Sequence, residues 1–271
     1  MGFFKELAWY VRFGWTHVRA ALGNAKANYR LGSFYEKTNM DIKNIDKAFL
    51  FYMKAGRKGH LQAQRDLGRL YALGKGVGKS AEKSAFWYQR VADQCRIQAE
   101  RGDAKAQWQY GVCCANGEGV TKDPEQAVLW YTKAAESGNM NAQVNLGYCY
   151  SHGYGVEQDY VKAVYWARKA AEQGSATAQN NLGDYYENGK GVEQSYEQAF
   201  YWYHKAAGQR SKHAQHSLGV LYRDGKGVEQ DHEKAIYWLK LAIRNGRTEA
   251  VKDLKKCKGL FSEQDWYWGV D

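Results

Sequence analysis

A glycine-marked period runs through this chain and leaves it few folds to adopt. Leu-Gly or its equivalent stands at Leu31-Gly32, Leu67-Gly68, Tyr110-Gly111, Leu146-Gly147, Leu182-Gly183 and Leu218-Gly219. The spacing is 36 residues at every step except from Gly68 to Gly111, where it is 43. Six residues after that glycine, Gly-x-Gly-Val begins at Gly74, Gly117, Gly153, Gly189 and Gly225. Ten residues after the Val comes Trp87, Trp130, Trp166, Trp202 or Trp238; Phe51 holds this place in the first unit. A self-similar period of a few tens of residues marks a stacked-repeat architecture, because one unit cannot bury its apolar face alone.

Capping chemistry divides each unit into two helices. The first helix (helix A) follows a Gly at 23, 59, 102, 138 or 174, with Arg210 in the sixth unit and Gly246 preceding a closing segment. The next residue is Asn24, His60, Asp103, Asn139, Ser175 or Ser211, and all but His60 are good N-caps. The second helix (helix B) is expected after Asn44, Ser80, Asp123, Asp159, Ser195 or Asp231. The single Pro of the chain, Pro124, falls at a first helical position, where its missing N–H costs nothing. One Pro against 29 Gly disfavours a loop-rich or all-β chain. The fold class is all-α.

In helix A, Ala142, Leu146, Gly147 and Tyr150 share one face; in helix B, Ala163, Trp166, Ala170 and Ala171 do. Small residues let the backbones approach while the aromatic fills the gap, so Trp15, Phe51, Trp87, Trp130, Trp166, Trp202 and Trp238 are expected in the structural core. Trp15 extends the register backward and makes 1–23 an N-terminal capping helix. Six repeats follow over 24–246, starting near 24, 60, 103, 139, 175 and 211; a capping helix spans 247–260 and an aromatic tail 261–271. The whole of 1–271 reads as one repeat domain. The seven extra residues fall within Val91 to Arg101, where two further turns would extend the second helix B from one edge, with Cys95 on it, either to adjust the local curvature or to meet a partner.

The net charge of +10 permits nucleic acid, anionic lipid or an acidic protein as partner, the first two being less favoured than a protein, and no stretch approaches the ~20 apolar residues of a membrane span. Glu6 and Arg12 break the apolar start, so no leader is expected and the location is read as cytoplasmic. Five cysteines (Cys95, Cys113, Cys114, Cys149 and Cys257) lack metal-ligand spacing and read as reduced thiols. No nucleophile–base pair, phosphate loop or paired carboxylates stand out, so neither a catalytic residue, a cofactor nor a metal is expected.

From Ala142-Gln143 through Ala170-Ala171 the unit reads Ala-Gln-x-x-Leu-Gly-x-x-Tyr-x-x-Gly-x-Gly-Val-x-x-Asp-x-x-Lys-Ala-x-x-Trp-x-x-Lys-Ala-Ala. This resembles the Sel-one-like repeat, a relative of the tetratricopeptide repeat with a longer loop, over about residues 24–258. Thr38 to Asp41 lacks the glycine loop and Ser84 replaces the helix B Ala, departures confined to the first two units. The resemblance implies a right-handed α/α superhelical solenoid and a non-catalytic bacterial scaffold or adaptor that holds a protein or peptide. It also leaves open a secreted effector or a toxin-neutralising immunity protein. Members with cysteines paired within repeats are not matched here.

In such stacking helix A lines the concave face, and two positions in each repeat vary where the core does not. They are Tyr29, Arg65, Trp108, Val144, Asn180 and His216, two before Leu, and Ser33, Arg69, Val112, Tyr148, Asp184 and Val220, one after Gly. Arg65 and Arg69 stand four apart, as a carboxylate or phosphate clamp would require, and Trp108 suits an interface contact. A metal role for His213 and His216 lacks a third ligand.

Overall fold

The structure is a computed structural model and describes residues 14–37 and 42–258. Every regular element among the described residues is helical. Residues 14–21 form a helical segment, and six pairs follow. They are α1 Ala25–Lys37 with α2 Ile42–Arg57, α3 Leu61–Leu73 with α4 Ala81–Glu100, and α5 Ala104–Asn116 with α6 Pro124–Glu136. Then come α7 Met140–His152 with α8 Tyr160–Glu172, α9 Ala176–Asn188 with α10 Tyr196–Gly208, and α11 Lys212–Asp224 with α12 His232–Arg244. Helix α13, Ala250–Lys258, closes the series, inside the expected 247–260. The chain forms two compact units, 1–127 and 128–271. The tail 261–271, the start of the expected N-terminal cap and Thr38 to Asp41 lie outside the described residues.

The helices begin and end where local chemistry stops them. Asp103, Asn139, Ser175 and Ser211 each accept the N–H three residues on, as do Ser80, Asp159, Ser195 and Asp231 at helices B. His60 does the same through Nδ1, taking the Ala63 N–H at 3.3 Å, so the one poor capping residue still caps. Asn44 does not open its helix, because α2 already begins at Ile42. Gly74, Gly117, Gly153, Gly189 and Gly225 close helices A at φ between 64° and 74°, a left-handed conformation that suits glycine. Arg210 adopts φ 65° without being glycine.

The core differs from the expected tryptophan ladder by one residue. Leu31, Leu67, Leu146, Leu182 and Leu218 are fully buried, but the side chain that meets the helix A glycine is the one after the Trp. Tyr52 covers Gly32, Tyr88 covers Gly68, Tyr203 covers Gly183 and Leu239 covers Gly219. One step along a helix turns a side chain by about 100°, which leaves the Trp at the margin of the buried face. Trp87 and Trp202 are buried, Phe51, Trp130, Trp166 and Trp238 are half-buried, and Trp15 is 62% exposed and no core residue at all. Tyr52 and Tyr203 each donate to a carboxylate one turn beyond their glycine, Glu36 and Glu187, both at 2.7 Å.

A buried amide fastens each repeat to the helix before it. The second residue of the Ala-Gln pair is Gln64, Gln107, Gln143, Gln179 or Gln215, with Asn28 in the first repeat, and all are buried. Each donates its amide N–H to the carbonyl eight residues earlier, from Asn28 to Ala20 at 3.1 Å through Gln215 to Ala207 at 3.3 Å. Those carbonyls belong to helix ends, and each also accepts the backbone N–H three residues on, in the turn that closes the helix. In residues 128–271 the amide oxygen is satisfied as well: Gln173 donates to Gln143, Gln209 to Gln179 and Asn245 to Gln215, at 2.7 to 2.9 Å. In residues 1–127 the oxygens of Asn28, Gln64 and Gln107 are buried without a hydrogen-bond partner among the described residues.

Helix α4 accounts for the break in the period. It has 20 residues where its counterpart α8 has 13. In three other repeats the second glycine of the loop rests on a residue near the start of the preceding helix B: Gly76 on Ile45, Gly191 on Tyr160, Gly227 on Tyr196. Gly119 rests instead on Tyr88, seven residues beyond the corresponding Ala81. The extension therefore displaces the next repeat by two turns along α4, roughly 10 Å at the rise of an α-helix.

Candidate functional site

Six of the twelve variable helix A positions fall into two concavities, one in each compact unit. In residues 128–271, Tyr148 of α7, Asn180 and Asp184 of α9 and His216 of α11 line a cavity of about 630 Å³. Tyr148 is 53% exposed, its ring stacked on His152 at 4.1 Å. Asn180 Oδ1 is buried with no hydrogen-bond partner among the described residues. Asp184 accepts from the Asn188 amide at 3.1 Å. His216 Nε2 lies 2.9 Å from Asp253 of α13, which also receives Arg223 at 2.6 Å and Lys256 at 3.2 Å. Burial raises the Asp253 pKa, but the hydrogen bonds from His216, Arg223 and Lys256 outweigh it and hold the carboxyl below the usual range.

In residues 1–127, Arg65 of α3 and Trp108 of α5 line a second cavity of about 500 Å³, closed on one side by Cys95 and Gln98 of the α4 extension. Arg65 and Arg69 are not a free clamp. Arg65 Nε stands 3.0 Å from Glu118, and Arg69 is bound to Glu36 and, at 3.3 Å, to Asp66. Both guanidiniums are neutralised by carboxylates of the chain itself, which a one-dimensional reading of their spacing does not reveal. Tyr29 is likewise engaged in packing, stacked on His60 at 4.5 Å and tilted against Tyr52. Val144 packs against the core of the fourth and fifth repeats. Ser33, Val112 and Val220 are half-buried and line neither cavity. Cys95, on the extension, is buried with Val91, Ala92 and Cys113.

One feature of helix B escaped the sequence reading. The residue before each Trp or its equivalent is large, apolar or aromatic, and exposed: Leu50, Phe86, Leu129, Tyr165, Tyr201 and Tyr237, between 46% and 60%. The aromatic ones stand edge-on to their Trp, as Tyr165 does to Trp166 at 4.9 Å. Lys205 lies over Tyr201 at 4.4 Å and Lys169 over Tyr165 at 5.0 Å. The signal was present in the 36-residue register, one position from the Trp that drew attention.

Paired helices, glycine loops and amide ties define a class: an all-α repeat protein built on a stacked scaffold. The Sel1 repeat profile matches residues 25–60, 61–94, 104–139, 141–175, 176–211 and 212–246, and the chain belongs to the Sel1 repeat family, a family of protein-interaction modules. No curated protein matches the chain. Among solved structures it is similar to a protective antigen of uropathogenic Escherichia coli with an SLR fold, at 32% identity and TM-score 0.63. That match covers 93% of this chain and 53% of the antigen chain, so this chain spans about half of that relative's length. It is similar to a Sel1 repeat protein from Oxalobacter formigenes at 31% identity and TM-score 0.66, over 86% of this chain and 89% of that one. The immunity protein Pa5087 from Pseudomonas aeruginosa matches at 25% identity and TM-score 0.55, over 82% and 81%.

Proposed function

We propose that the chain is a non-catalytic scaffold that seats a partner protein on its helix A face. The observation that carries this reading is the cavity of residues 128–271, where Tyr148, Asn180, Asp184 and His216 come together from three successive helices A. Beneath them the leucines and alanines repeat with little change, so the surface varies while its support does not. Tyr148 offers an exposed aromatic anchor.

Affinity capture with the intact chain and with a Tyr148→Ala/Asp184→Lys variant tests the seat. Both positions are off the core, so the variant should fold, verified by its helical circular dichroism. Loss of a partner held by the intact chain is the expected result; equal capture would remove the seat from this face.

A second reading, neutralisation of one toxin, is favoured by the likeness to Pa5087. Co-expression with candidate toxins tests it: restored growth supports immunity, and binding without rescue supports a general scaffold.

A further inference from the structure

Cys95 and Cys113 form a pair that no other repeat possesses. Cys95 lies in the extension of α4 and Cys113 on α5, 2% and 0% exposed, and the two pack in one apolar cluster with Val91 and Ala92. Arg65 Nη2 approaches Cys113 Sγ at 3.6 Å while its Nε faces Glu118. Cys95 and Arg65 both line the 500 Å³ cavity, so Cys113 sits one side chain behind a solvent-open surface. The helix B extension is what makes the pair, because it places a thiol against the following helix A.

We propose that Cys95 and Cys113 are a dithiol site that reacts with a peroxide to form a disulfide tying the α4 extension to α5. The neighbouring Cys95 thiol, acting against burial and aided by the Arg65 guanidinium, holds the Cys113 thiol below its usual pKa. Cys95 is pushed the other way, first by its interaction with Cys113 and then by burial, and keeps its proton. Cys113 is thus the nucleophile and Cys95 the resolving thiol. The Cys113 thiolate attacks one peroxide oxygen; an S–O bond forms, the O–O bond breaks, and the departing hydroxide takes a proton to leave as water. Cys95 sulfur then attacks the sulfenic sulfur of Cys113. An S–S bond forms, the S–O bond breaks, and hydroxide leaves with the Cys95 proton as a second water. Two thiols and hydrogen peroxide become one disulfide and two waters, with two electrons passing from sulfur to oxygen. The product fixes the cavity wall to the helix that carries Trp108.

The other thiols provide internal references. Cys114, next in sequence, is pushed up to about 11 by burial, and Cys149 is raised to about 11 by burial alone. The experiment treats the reduced, folded chain with hydrogen peroxide and follows intact mass, free thiols and a tryptic map. The expected result is a mass loss of about 2 Da, free thiols falling from five to three, and a peptide linking Cys95 to Cys113. It should form at least about tenfold faster than Cys149 is oxidised. Cys114→Ser should leave the crosslink unchanged, and Cys95→Ala should let dimedone trap Cys113 as its sulfenic acid. A crosslink through Cys114, or five thiols persisting until urea unfolds the chain, would overturn the proposal.

Discussion

Lys58→Gln should stabilise the protein, for a reason visible only by comparing one repeat with another. In the fifth repeat Gln209 donates to the Gly174 carbonyl at 3.0 Å and to the Gln179 amide oxygen at 2.9 Å. In the first repeat Lys58 occupies that register and reaches only the Gly23 carbonyl, at 2.6 Å. Asn28 Oδ1, the counterpart of the Gln179 oxygen, is left buried and unpaired among the described residues. An unsatisfied buried acceptor costs about 1–3 kcal/mol, so restoring its donor should return about 1 kcal/mol. The reciprocal Gln209→Lys should lose a similar amount. Lys212→Gln is the control for charge: Lys212 also donates to a helix-end carbonyl, that of Gly246 at 3.2 Å, but the Gln215 oxygen beyond it already receives Asn245. It should therefore be neutral. Thermal unfolding by circular dichroism would register a rise of roughly 2–4 °C for Lys58→Gln, and hydrogen exchange in α1 would localise it. Asn28 is one methylene shorter than Gln179, so Asn28→Gln/Lys58→Gln should gain at least as much. No gain from either variant, with no loss from Gln209→Lys, would refute the reasoning and mean that the buried oxygen finds water instead.

Three further outcomes follow from the same geometry. Arg210→Gly should gain about 1 kcal/mol in urea unfolding, because Arg210 occupies φ 65° at a place that is Gly at every other such helix end. Gly183→Ala should cost about 1–3 kcal/mol, since a Cβ there would lie 2.5 Å from the Tyr203 ring; Gly147→Ala, whose Cβ would meet nothing nearer than the Ala163 carbonyl at 3.4 Å, should be neutral or slightly stabilising by the same assay. The depressed pKa of Asp253 contributes stability that is present above the unfolded carboxylate pKa and lost as pH falls through the folded one. Acidification below about pH 4 should therefore loosen α13, seen as faster amide exchange there, and Asp253→Asn should abolish most of that pH dependence.

The fold was legible because its determinants are local. A left-handed glycine, a capping side chain and an apolar stripe each act within a few residues, and they recur six times, so the period averages out the exceptions. The buried glutamine was also legible in principle: a polar residue beside the core Ala in five repeats of six needs a partner. The candidate site was less so. Arg65 and Arg69 have the spacing of a clamp, but Glu118 and Glu36 meet them only after the chain has turned back on itself. The Trp was mistaken for the deepest residue because sequence shows that a position is invariant, not which way it points. Cys95 and Cys113 were hidden by the insertion itself, which breaks the very register that made everything else readable.

That insertion also says how such a chain can be edited. Seven residues advance a helix by two turns with an angular error of only about 20°, so the apolar face of α4 stays in phase beyond it. Five extra residues would swing the face by roughly 140° and expose the buried side, at 3.6 residues per turn. Viable insertions in helix B are therefore quantised in whole turns, each step sliding one neighbour along another without rotating it. Growth by whole turns gives this architecture a discrete set of surfaces from a single core, and the α4 extension, 20 residues in place of 13, is one such step already taken.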